Sequence, residues 1–278
     1  MQKIILQVLV LLILTPISLN AQESTMNWRE GLAHLQRSAK NNSLEVFGLY
    51  LFTASGSGRW FFPNPNSSSE ARRNLSGDQI IEIFQEYIKL EELSYDEVHV
   101  TIAHTHPRST ILKQIEEDPE LLQDGKSLRD LIDQRGAITN PPSREDLSAP
   151  YKLQNLFKQN KMPDVTISSV VVDSVGIYRH RLFKNLKEKV ELFPELAGET
   201  PYQHLDIHEQ TLYDRRMNQE LYNLRRRWIY AINRYETNQF AEGVPETLSE
   251  LRLVYARYGI GAYLEFAPGV ELSFPSEL

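Results

Sequence analysis

Apolar side chains at Trp28, Leu32, Leu35 and Ala39 are spaced four, three and four apart, which predicts one buried face of a helix ended by Asn41, Asn42 and Ser43. Leu44–Thr53 is instead dense in aliphatic and aromatic residues and predicts a buried strand. Gly56 and Gly58 then turn the chain, and Arg59–Phe62 reads as the returning strand. After a polar loop over Pro63–Ser69, Ile80, Ile81, Phe84, Tyr87 and Ile88 restore helical spacing within 78–90. Glu97–Ala103 predicts a second strand, which runs directly into His104-Thr105-His106-Pro107.

Arg108–Asn140 is an acidic stretch with helical character, closed by Pro141 and Pro142. Ser143 opens a short helix carrying Asp146 and Leu153, and Val165–Tyr178 reads as one or two strands. The alternation of helices and strands up to about Phe183 predicts an α/β (α+β) domain, a mixed β-sheet flanked by helices. Beyond it, Met217, Leu221, Leu224, Trp228, Ile232 and Tyr235 mark a long amphipathic helix. Leu248–Tyr258 predicts another, and Gly261–Phe274 reads as a returning strand. The expected organisation is a leader over 1–21, a domain over 22–185 with an insertion at 108–140, and a mainly helical C-terminal region over 186–278.

Composition narrows the chemistry. The 278-residue chain is 41% hydrophobic and 24% charged, as a folded domain requires. Its formal charge of −7 gives no footprint for a polyanion, so nucleic acid is not an expected partner. It has no cysteine, which excludes disulfides, thiolate metal ligands and a cysteine nucleophile. At the N-terminus, Lys3 precedes the apolar run Ile4–Leu14, broken only by Gln7, and a short polar exit ends at Ala21. This is the pattern of a secretory signal peptide. The run is shorter than the roughly 18 residues a membrane span needs. The expected product is an exported protein, periplasmic or extracellular, with no integral membrane span after signal removal.

Residues i and i+2 of a strand project from the same face, so His104 and His106 point together. Two imidazoles and a carboxylate suit zinc, although His-x-His alone also describes two hydrogen-bonding histidines at a strand end. Pro142-Ser143-Arg144-Glu145-Asp146 reads by itself as a helix start with a capping-box pattern, and Glu45 as an acid opening a strand. Together and in this order, Glu45-Val46-Phe47-Gly48-Leu49, His104-Thr105-His106-Pro107 and Pro142-Ser143-Arg144-Glu145-Asp146 resemble the JAMM (MPN+, JAB1-type) metallopeptidase family. The resemblance spans roughly residues 26–183.

The resemblance implies a JAMM-like domain in which His104, His106 and Asp146 bind one Zn2+, Glu45 is the general base and then acid, and Ser143 stabilises the oxyanion. It implies hydrolysis of a peptide or isopeptide amide in a peptide or protein substrate. The alternative is a catalytically inactive JAMM-like binding or scaffold module. One departure from the family pattern is the gap of 40 positions between His106 and Asp146, filled by the insertion. A lid, a specificity element and an inhibitory cover are all consistent with it.

Other motifs carry less. His204 and His208, with Asp206 or Glu209 nearby, could form a second metal site but lack the H-E-x-x-H glutamate, and polar surface histidines are the simpler reading. Arg215, Arg216, Arg225, Arg226 and Arg227 read as the solvated face of the long helix. The C-terminal helices are the expected surface for a protein partner.

Overall fold

Alternation along the strands sorts the core into two layers on either side of one sheet. The computed structural model describes residues 21–41, 44–56, 58–63, 75–109, 142–174, 176–183, 185–200, 205–233, 249–257 and 262–268. The predicted leader, except for Ala21, and all of the insertion beyond Ser109 lie outside these residues. The strands are β1 (Ala21–Ser24), β2 (Phe47–Thr53), β3 (Gly58–Pro63), β4 (Val98–Thr105), β5 (Thr166–Val172), β6 (Gly176–Leu182) and β7 (Ala262–Pro268). They form one seven-stranded sheet in the order β1-β3-β2-β4-β5-β6-β7. Only β4 and β5 run parallel. The mixed α/β class predicted from sequence is the class observed.

The helices are α1 (Trp28–Asn41), α2 (Gly77–Leu90), α3 (Arg144–Gln159), α4 (Leu186–Leu192), α5 (Ile207–Asn233) and α6 (249–257). Leu49, Leu51, Val100, Ile102 and Ile167 pack against Ile80, Phe84 and Tyr87 of α2 and Leu153 and Phe157 of α3. On the opposite face, Tyr50, Trp60, Ala103, Val170 and Val172 pack against Leu32 and Leu35 of α1. His104 shares the parity of Val100 and Ile102, so the sheet aims it toward the α2/α3 layer.

The differences from the sequence reading are local. β2 starts at Phe47: the Val46 carbonyl still accepts the Thr105 N–H, but the Val46 N–H donates to the Thr105 hydroxyl at 2.8 Å, and Leu44 is exposed. Val165–Tyr178 resolves into two strands, turned where the Gly176 N–H donates to the Asp173 carboxylate at 2.7 Å. The helix after Ser143 is sixteen residues long rather than short. β1 has the polar sequence AQES and no apolar alternation to announce it; it pairs with β3 at the sheet edge. The C-terminal region supplies α4–α6 and β7, which completes the sheet beside β6. No helix among the described residues is long and apolar enough to cross a membrane.

Candidate metal centre

β4 is held on both sides at the end where its histidines lie. The Thr105 N–H donates to the Val46 carbonyl at 3.0 Å, and the His106 N–H to the Val172 carbonyl at 2.8 Å. His106 therefore has a fixed backbone although it lies just past the strand, and its side chain is buried. Pro107 follows and cannot extend the ladder.

Asp146 reaches the same point from α3. Ser143 caps that helix: its Oγ accepts the Asp146 N–H at 3.3 Å, and its own N–H donates to Asp146 Oδ2 at 2.6 Å. This reciprocal cap is the capping box read from the sequence, and it orients the carboxylate as well as starting the helix. His104 Nε2 lies 2.9 Å from Asp146 Oδ1, His106 Nε2 lies 3.3 Å from Oδ2, and the two Nε2 atoms are 3.3 Å apart. Burial alone would raise the Asp146 carboxyl, but hydrogen bonds from His104 and His106, with their charges, outweigh it and hold it well below the usual carboxylate range.

One ligand atom from each of the three side chains lies within 4.8 Å of the others, which is compatible with a small divalent ion. Tetrahedral bonds of about 2.0 Å to nitrogen or oxygen separate neighbouring ligand atoms by about 3.3 Å. His104, His106 and Asp146 are the one group among the described residues whose ligand atoms converge as a metal set. Two neutral imidazoles and one carboxylate would leave a fourth position for water or substrate. The structure is compatible with a metal ion here and leaves its identity open.

Glu45 and Ser143 occupy different places relative to this group. Ser143 Oγ accepts a hydrogen bond through a lone pair, which leaves its proton to donate. Glu45 is exposed and stands outside the His104–His106–Asp146 group. The β2–β4 register ends at Phe47–His104, and one further bond, from the Thr105 N–H to the Val46 carbonyl, brings the residue after Glu45 beside the histidine end of β4. His208 is exposed near the start of α5, and its backbone N–H donates to the Asp206 side chain at 2.8 Å; His204 lies outside the described residues. Of the arginines on α5, Arg215, Arg216 and Arg227 are exposed, Arg216 pairing with Glu220 of the same helix and Arg227 with Glu250 of α6; the side chains of Arg225 and Arg226 lie outside the described residues.

Two residues with no role in the sequence reading support the centre. His180 on β6 is buried, and its Nε2 lies 3.0 Å from the main-chain carbonyl of Asp146. Tyr255 on α6, also buried, donates its hydroxyl to the Pro142 carbonyl at 2.6 Å, immediately before the cap. Burial lowers His180 to about 4, against the opposing pull of the Asp146 carbonyl and carboxylate, so the ring is neutral at pH 7. The available sequence signal for His180 was indirect: Pro150, four positions after Asp146, removes the helix's own donor to that carbonyl. Tyr255 had no such signal, since it lies 113 positions from its acceptor. Compared with protein-family models, curated proteins and solved structures, the chain matches none of them.

Proposed function

We propose that the chain is an exported zinc-dependent metallopeptidase of JAMM type that hydrolyses a peptide or isopeptide amide. The observation that supports this reading is the convergence of His104, His106 and Asp146, from two sequence segments far apart, with one ligand atom from each within 4.8 Å of the others. The order of elements also supports it, with α1 before Glu45 and α2 before the histidine strand. Zinc, when bound, would supply Lewis-acid polarisation and lower the pKa of water to about 7.

The chain's own residues divide the remaining work. His104, His106 and Asp146 hold the ion and leave one side open. Glu45, just before β2, is the general base that takes a proton and returns it to the leaving amine. Ser143 donates a hydrogen bond from its hydroxyl to the developing oxyanion, a contribution of about 3 kcal/mol in comparable sites. A chain exported by its leader would meet envelope or extracellular peptides and cross-links as substrates.

The exposure of Glu45 favours a second reading, a metal-stabilised binding module without turnover. Cleavage of a peptide library by the zinc-loaded parent and by Glu45→Gln separates the two. The peptidase reading predicts product from the parent alone, with zinc retained by both proteins. No product from the parent supports the binding module, and equal product from both removes Glu45 from the mechanism.

A further inference from the structure

We infer that His180 is a positioning residue for the metal-binding carboxylate and that Pro150 makes it necessary; this rests on the metal-centre reading above. In an α-helix the carbonyl of residue i accepts the N–H of residue i+4. For Asp146 that residue is Pro150, inside α3, which has no N–H and whose ring crowds the carbonyl four positions back. A carbonyl stranded in this way, close to the core, needs a donor from elsewhere.

His180 is that donor. A carbonyl oxygen can only accept, so the 3.0 Å contact fixes the His180 tautomer with the proton on Nε2. The ring is 1% exposed, and its strand is fixed on both sides, with Ser169 of β5 and Leu264 of β7 as register partners. The donor therefore sits on a strand paired on both sides, while the carbonyl sits in the first turn of a helix that carries a proline four positions later. His180 Nδ1 and Ser169 Oγ, on paired strands, are buried without a hydrogen-bond partner among the described residues. Their exposure to the core is a cost that a purely space-filling residue would avoid.

The consequence falls on the carboxylate. Ser143 holds Asp146 from the N-terminal side through the cap, and His180 holds the peptide that follows it. Between them they set the direction from which the carboxylate meets His104 and His106. His180 is not itself a ligand, because it stands outside the converging group. Outer contacts of this kind alter metal affinity by about 10- to 100-fold when removed.

A double-mutant cycle on the full chain tests the pairing, because Pro150→Ala returns an N–H four positions after Asp146. Zinc affinity is measured by competition with a chelating dye, and circular dichroism checks that each variant folds. His180→Met, which removes the donor, should weaken zinc binding by about 10- to 100-fold. His180→Gln, which keeps a donor, should lose less, and adding Pro150→Ala to His180→Met should recover most of the loss. Unchanged affinity in His180→Met overturns the inference, as does a loss that Pro150→Ala does not relieve. If the parent binds no zinc, the metal-centre reading fails separately. Thermal unfolding of the metal-free proteins then decides the pairing: His180→Met should lower the midpoint more in the parent than in the Pro150→Ala background, and equal lowering overturns it.

Discussion

Gly31→Ala sets two opposing terms against each other. Replacing a glycine inside a helix by alanine gains about 1 kcal/mol from backbone entropy. At Gly31, near the start of α1, the added methyl would lie 2.1 Å from Trp60 Nε1, 2.2 Å from Cε2 and 2.6 Å from Cδ1. Trp60 cannot easily move aside: it is fully buried, stacks on Trp28 at 5.3 Å and on Phe62 at 5.5 Å, and donates its Nε1–H to the Asn27 carbonyl at 3.2 Å. Overpacking of this kind costs about 1–3 kcal/mol. Displacing the indole from its acceptor adds about 1–3 kcal/mol for an unpaired buried donor. The clash wins, and the expected net loss is about 3 kcal/mol, with the propensity gain already subtracted. Urea unfolding followed by tryptophan fluorescence and circular dichroism measures it, and an unchanged slope confirms that the unfolded state is not the cause. Combining Gly31→Ala with Trp60→Leu should remove the penalty relative to Trp60→Leu alone. A Gly31→Ala protein more stable than the parent would refute the reasoning.

Three further outcomes follow from the described contacts. Ser143→Ala removes the side-chain half of the α3 cap and should lower stability by about 1 kcal/mol in metal-free protein, measured by urea unfolding. Phe157→Ala empties a fully buried position whose ring meets Phe84 edge-on at 4.8 Å, and should cost about 3–5 kcal/mol in the same assay. Acidification should remove stability through His180, because burial depresses its folded-state value to about 4 from the ordinary 6.5. Between those values the unfolded chain binds the extra proton, so this contribution is present above about pH 6.5 and lost as the pH falls to about 4. It amounts to about 3 kcal/mol. With chelator present, the parent should lose that much more than His180→Gln between about pH 7.5 and about pH 4, a range that spans the titration; parallel profiles would contradict the burial argument.

Much of this arrangement was legible from residue type and spacing. Leu49, Leu51, Val100 and Ile102 announced the two central strands because apolar strands flanked by helices on both faces leave an unbroken signal. His104 and His106 were paired by the period of the strand, and Ser143 with Asp146 by the spacing of a helix cap; these are local rules. What was not legible depends on distant partners. The polar edge strand Ala21–Ser24 exists because β3 offers an open edge, not because of its own pattern. β7 belongs to the same sheet as the histidine strand only because β6 accepts it. Tyr255 reaches Pro142 from the far end of the chain, and a residue of that type in an amphipathic helix reads as ordinary core. His180 stands alone in the sequence with no partner motif, although Pro150 marks a carbonyl that needs a donor.

Metal content tests the central claim most directly. The full chain, stripped with chelator and re-equilibrated with zinc, should hold one ion per chain, and His104→Ala and Asp146→Asn should each abolish stoichiometric binding while remaining folded, because their ligand atoms lie within 4.8 Å of each other and of His106. A folded parent that takes up no stoichiometric zinc, or variants that bind it as the parent does, would contradict the account.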